Sequence, residues 1–210
     1  PVIDSAIDPA ALGPEPKIKL FVSATAVRTG KIKVFAGEKV TTDALLASAC
    51  LPYLYQAIEN EGEAYWDGGY MGNPAIFPLI YGCAVPDIVI VQVNPINHPD
   101  VPQSARHILD RITEISFNSS LMLELRAIDL VARLIESGPL QGTRYKKLHI
   151  HMIEAEKEMA ALGASSKLDT DWQFLLDLKE FGRAAAALWL EKSFAKIGTE
   201  SSVDIRERFL

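Results

Sequence analysis

Tyr65-Trp66-Asp67-Gly68-Gly69-Tyr70-Met71-Gly72-Asn73-Pro74 is the most informative stretch of this chain. A short aromatic strand runs into an aspartate, and two glycines then let the backbone turn where a Cβ would obstruct it. The result is a carboxylate fixed at a strand end, where open α/β sheets place their chemistry. Taken alone, Asp67-Gly68-Gly69 fits an ordinary turn in which Asp67 satisfies nearby amides. The sequence before it shifts that reading. Ala47-Ser48-Ala49-Cys50-Leu51-Pro52 has the form of a helix end, and Phe21-Val22-Ser23-Ala24-Thr25 precedes it as a strand.

Together, residues 17–95 resemble the second half of a patatin-like phospholipase domain, with a looser likeness to the C-terminal extensions of bacterial members beyond. That family uses a serine–aspartate dyad: the serine in a G-x-S-x-G elbow, the aspartate in a D-G-[GA] turn after an A-S-x-A-x-P-like helix end. The resemblance implies an α/β fold, a patatin-like three-layer sandwich with a mostly parallel central sheet. This chain would give its C-terminal part over residues 1–103 and a mainly helical extension over 104–210. It also implies that Asp67 is the base of a serine-dependent acyl ester hydrolase, with Gly68 and Gly69 as backbone devices and no cofactor. A carboxylate serving as base must lie within hydrogen-bond reach of the nucleophile, in a site dry enough to limit competing solvation. The chain departs from the pattern in two respects. It has no G-x-S-x-G and no glycine-rich oxyanion loop; Gly163-Ala164-Ser165-Ser166 lacks the second glycine. The expected partner is an upstream segment or companion chain carrying the serine, and the expected substrate a lipid or simple acyl ester. The competing expectation is an inactive patatin-fold subunit that keeps the turn for structure only.

Composition narrows the alternatives. Hydrophobic residues make up 49% of the 210-residue chain and charged residues 23%, enough apolar material for a substantial core. The net charge of −6 argues against nucleic acid, which needs concentrated Lys and Arg. Lys146-Lys147 and Arg126/Arg133 are too sparse for a polybasic anchor, so packing is the better reading of the later helices, with peripheral membrane contact as an alternative. Cys50 and Cys83 lack metal-type spacing and read as two thiols of a reducing, cytoplasmic setting. The longest uncharged run, 68–86, is broken by glycines and prolines and is no membrane span. The chain starts at Pro1. It is expected to be one piece of a longer polypeptide, unstable alone, whose remainder supplies parallel strands, the serine elbow and the oxyanion loop.

Along the chain, residues 1–16 with their four prolines read as a loop. Strands are expected over 17–27 and 31–35, with Lys17, Lys19, Lys31 and Lys33 facing solvent. A helix capped by Thr41 or Thr42 runs through Ala49 and stops at Pro52. A short helix over 75–81 leads to a strand at 87–93 that reads as buried on both faces. Apolar residues at 108, 112, 115, 122, 125, 128, 131 and 135 give a long amphipathic helix or two end to end, closed by Gly138-Pro139. Residues 145–153 alternate as a strand with Leu148, Ile150 and Met152 on one face. A last long helix runs from 171 to 197 and ends at Gly198.

Other chemistry-bearing residues have bland readings beside the sharp ones. His149 and His151 share one side of their strand as two metal ligands or a polar face, and no third ligand has convincing spacing, so no metal is expected. His98 is the candidate for a Ser-His-Asp arrangement, where chain order disfavours it. Ser23 and Ser48 lie outside any elbow and are expected to bond local backbone. Tyr53, Tyr55 and Tyr70 are candidates for an acyl-binding rim, while Trp66 leans toward core.

Overall fold

A computed structural model describes residues 18–98, 100–162, 166 and 168–210, together with Ile3 and Ser5. The rest of the expected N-terminal loop, Lys17, and 163–165 of the glycine-serine break lie outside the described residues. The chain is mixed α/β and divides into two compact units between Pro78 and Leu79. The strand at 87–92 therefore belongs to the same compact unit as the later helices.

The first unit is built on an antiparallel sheet in the order β2-β1-β4-β3. β1 (Phe21–Ala26) and β2 (Ile32–Ala36) form a hairpin, turned at Gly30 with φ +65°. β3 (Ile58–Asn60) and β4 (Glu63–Asp67) form a second, turned at Glu61 and Gly62, both with positive φ. Two successive positive-φ residues make the second a primed turn, which matches the right-handed twist of the strands it joins. Between the hairpins, α1 (Thr42–Ser48) starts at Thr41, whose hydroxyl accepts the Ala44 N–H at 3.2 Å. Ala44 and Ala47 are fully buried and pack with Ala24, Ala26, Val40, Phe35 and Tyr65. These alanines let the helix approach the sheet closely, and Phe35 meets Tyr65 edge-on at 5.6 Å. The short helix α2 (Phe77–Gly82) carries the division between the units.

In the second unit β5 (Asp87–Gln92) and β6 (His149–Glu154) pair in parallel, Asp87 opposite His149 and Val89 opposite His151. Parallel pairing among the described residues is confined to these two strands. Their crossover contains α3 (Ala105–Glu136), one continuous helix. It buries Glu114, Asn118, Leu121, Leu125 and Ile128, whereas Ile108, Ile112 and Ile115 are exposed. The inward face of its first half is thus not the apolar stripe that periodicity marks out. Polar anchoring sets it: Asn118 donates to Pro95 O at 3.0 Å and Arg111 to Ile96 O at 2.8 Å. After α4 (Glu156–Ala160) comes α5 (Trp172–Ser193), followed by a 3₁₀ turn at Phe194–Lys196 and Gly198 with φ +81°. α6 (Ile205–Phe209) closes on α3, with Arg206 Nε 2.9 Å from Asp129 and Phe209 buried.

Burial of the two parallel strands reverses expectation. β5 exposes Val89 and Val91 while burying Ile88 and Ile90, so it is covered on one face rather than two. β6 is the strand covered on both. Ile150 and Met152 are buried on one side, and His151 is wholly buried on the other beneath Trp189 of α5, ring to ring at 6.0 Å.

Candidate functional site

Asp67 ends β4, and three contacts fix its position. Its backbone pairs opposite Ala24 of β1. Its N–H donates to Cys50 O at 2.9 Å, and its carbonyl accepts the Thr25 hydroxyl at 2.9 Å. The first bond joins the two sequence motifs, because Cys50 belongs to the helix-end stretch 47–52 and Asp67 to the glycine turn. Beyond Asp67 the chain enters a 3₁₀ turn, Gly68–Tyr70, and the Asp67 Oδ1 accepts the Gly69 N–H at 2.7 Å. That short, charge-assisted bond caps the turn and also fixes the carboxylate's orientation. Gly68 is required sterically: a Cβ there would lie 2.2 Å from Ser23 O and 2.5 Å from Ser23 Oγ. Ser23 stands opposite Gly68, one residue out of step with Asp67, which puts its side chain on the other side of the pleat.

The surroundings of the carboxylate are aromatic and sulfur-bearing. Burial raises the Cys50 thiol above its ordinary pKa, a backbone N–H at Ile58 works against this, and the Asp67 charge adds to the rise. The Tyr70 hydroxyl is raised by burial first, then by Asp67 and Tyr53. Tyr70 is therefore a neighbour of the carboxylate and Tyr53 a neighbour of Tyr70; both rings reach solvent, as does Tyr55. Trp66 is half-buried, and it is Tyr65 that joins the core. Ser48 donates to Leu45 O at 2.7 Å, the local backbone bond expected of it.

The histidine readings resolve differently. His149 and His151 are not a solvated polar face, since both approach the Asp87 carboxylate. His151 Nε2 lies 3.1 Å and His149 Nδ1 3.4 Å from Asp87 Oδ1, which also accepts the Gly198 N–H at 2.8 Å. Asp87 titrates below its ordinary value. The Gly198 N–H is the main cause, opposed by burial and assisted by the two histidines. Sequence spacing hid this partner because Asp87 is distant along the chain; the signal was the parallel register that sets an acidic strand start beside a histidine strand start. Among the described residues no group of three His, Cys, Asp or Glu side chains is arranged to hold a metal ion. His98 is engaged by Glu114 at 3.1 Å, a carboxylate it shares with Arg111, also at 3.1 Å. These three side chains, with His107 and Leu162, line a cavity of about 250 Å³ in the second unit. The shared Glu114 gives it a structural account, tying the loop before α3 to the helix. No described helix is long and apolar enough to cross a membrane. No protein-family model matches this chain, and no curated protein matches its sequence.

Proposed function

We propose that this chain supplies the base of a patatin-type serine acyl hydrolase, with Asp67 as that base. The observation that carries the proposal is the fixed carboxylate: Asp67 ends a strand, is oriented by the Gly69 N–H at 2.7 Å, and is bonded through its backbone to the Cys50 helix end. In this reading the nucleophilic serine and the oxyanion donors come from another segment or a companion chain, within a three-layer sandwich with a mostly parallel sheet. The serine hydroxyl adds to the ester carbonyl as its proton passes to Asp67. Backbone N–H groups hold the resulting oxyanion. Collapse expels the alcohol, which takes the proton from Asp67 and leaves an acyl-serine. Water then attacks the acyl carbon, again giving its proton to Asp67, and the serine is released as the carboxylic acid departs.

Asp67→Asn keeps an acceptor for the Gly69 N–H but removes the base. In the full-length protein it is expected to lower kcat on a chromogenic short-chain ester by about a hundred- to ten-thousandfold. Near wild-type kcat at equal amounts of folded protein overturns the assignment. A second reading is favoured by the same 2.7 Å bond, since capping the 3₁₀ turn is by itself a sufficient structural role for Asp67. On that reading the chain is an inactive patatin-fold interaction module. A G-x-S-x-G between a strand and a helix in the companion segment decides for the enzyme, and its absence decides for the module.

A further inference from the structure

Parallel strands joined by a helical crossover bind their ligands outside the carboxyl ends of the strands. In the second unit β5 ends at Gln92 and β6 at Glu154, and the cavity of about 250 Å³ is walled by the segments that follow each. His98, Asp100 and Pro102 belong to the loop leaving β5. Ala160 and Leu162 belong to the end of α4 and the residues just after it. The remaining wall is one face of α3, where His107, Asp110, Arg111 and Glu114 recur at helical spacing. These walls are tied together. Asn97 donates to Glu156 Oε1 at 3.1 Å from both its backbone N–H and its side-chain amide, and Arg111 holds Ile96 O at 2.8 Å. The cavity is thus preformed, as small-molecule sites usually are.

Its charge is unbalanced. Three carboxylates, Asp100, Asp110 and Glu114, face a single guanidinium, and Arg111 is already engaged by Ile96 O and Glu114 Oε2. Counting the histidines as neutral, two negative charges in the lining stay uncompensated. Neither Asp100 nor Asp110 has a bond to another described residue. Glu114 is the most informative of the three. It is only 8% exposed, and its Oε2 takes both of its contacts, to Arg111 and to His98. Its Oε1 bonds no described residue, yet it is not sealed in protein. On so deeply buried a residue, that oxygen can open only into the space that Glu114 lines. The dipole of α3 favours anions over its first turn alone, and Asp110 and Glu114 lie beyond that turn. Pro102, Ala160 and Leu162 set an apolar wall beside the acids.

We infer that this cavity binds a short aliphatic diamine. Two ammonium groups match the two uncompensated charges, and the methylenes between them lie along the apolar wall. The volume is that of about eight water molecules, which suits a ligand of this size. Among the described residues no His, Cys, Asp or Glu group is arranged to hold a metal ion, which favours an organic cation. The site shares no residue with the Asp67 turn and stands whether or not Asp67 acts as a base.

The test is isothermal titration calorimetry of the full-length protein with 1,4-diaminobutane at low salt. Saturable binding at a single site is expected, weakened about fivefold or more by each of Asp100→Asn and Asp110→Asn. Neither aspartate has a described partner to lose, so both variants should melt at the wild-type temperature and lost binding is not lost folding. Glu114→Gln is expected to weaken binding most, about tenfold or more; if it fails to fold, the two aspartate variants decide. The monoamine n-butylamine should bind about fivefold or more weakly than the diamine, for want of the second charge. Absence of saturable binding by about 10 mM diamine overturns the inference. So does binding unchanged in both aspartate variants, or n-butylamine binding as tightly as the diamine. Displacement of the diamine by magnesium at equal concentration assigns the charges to a metal ion, and tighter binding of inorganic phosphate assigns the cavity to anions; either result also overturns it.

Discussion

The two units solve the same packing problem with different materials. The first packs a small helix on an antiparallel sheet through alanines and two aromatic rings, with Thr25 the one buried polar side chain among its described residues. The second buries Glu114, Asn118 and His151 among its leucines and isoleucines. In the first unit the exacting constraint is steric, at Gly68. In the second it is the satisfaction of buried polar groups, at Asp87. Buried polar groups are costly unless paired, so each one ties distant segments together. The Asp87 carboxylate joins the start of β5, two histidines of β6 and the loop after α5.

Three substitutions sharpen this contrast, in decreasing order of effect. Gly68→Ala puts a methyl group 2.2 Å from a backbone oxygen that cannot move without displacing β1. A loss of about 3 kcal/mol or more is expected, read by urea denaturation. If Gly68→Ala unfolds at the wild-type urea midpoint, the steric account fails. Asp87→Asn removes the charge that draws the histidines and the Gly198 N–H, at an expected cost of about 1.5–3 kcal/mol near neutral pH. Because the folded pKa of Asp87 lies below its ordinary 3.8, its stabilisation is whole above that value and drains away as pH falls through the lower folded one. The wild-type and Asp87→Asn stability curves should therefore converge in acid. Parallel curves down to low pH would refute the role given to the carboxylate. The smallest effect is of opposite sign. Gly182 lies within α5 with nothing within 4 Å of a Cβ, so Gly182→Ala should stabilise by about 0.5–1 kcal/mol in a thermal melt.

What could be read from the sequence follows the same division. The first hairpin, the Thr41-capped helix, the long helix through Glu136 and the glycine at 198 are local features, and their residues announce them within a few positions, whereas β3 and its hairpin with β4 went unread. The Asp67 turn is legible for the same reason, and its bond to Cys50 links two stretches that the sequence had already paired. Burial in the second unit is not local. Whether β5 or β6 is covered on both faces depends on where α5 and Gly198 come down, and a β5 composition of Ile and Val carries no record of that. The partner of His149 and His151 was hidden likewise, because a parallel crossover brings together residues far apart in sequence. The α3 periodicity misleads over its first half because an apolar pattern gives no weight to Arg111, Glu114 and Asn118. They are the residues that anchor the helix.

Cys50 has a practical consequence. Its thiol bonds Gln56 O beneath the Tyr53 loop, its carbonyl holds the Asp67 N–H, and burial keeps its pKa high. A buried, protonated thiol does not react with an alkylating reagent while the loop is closed, since the thiolate is the nucleophile. It becomes reactive when the loop opens. Cys50 is therefore a built-in clock for the segment next to Asp67, and its rate of alkylation counts the openings of that segment without any label added to the protein.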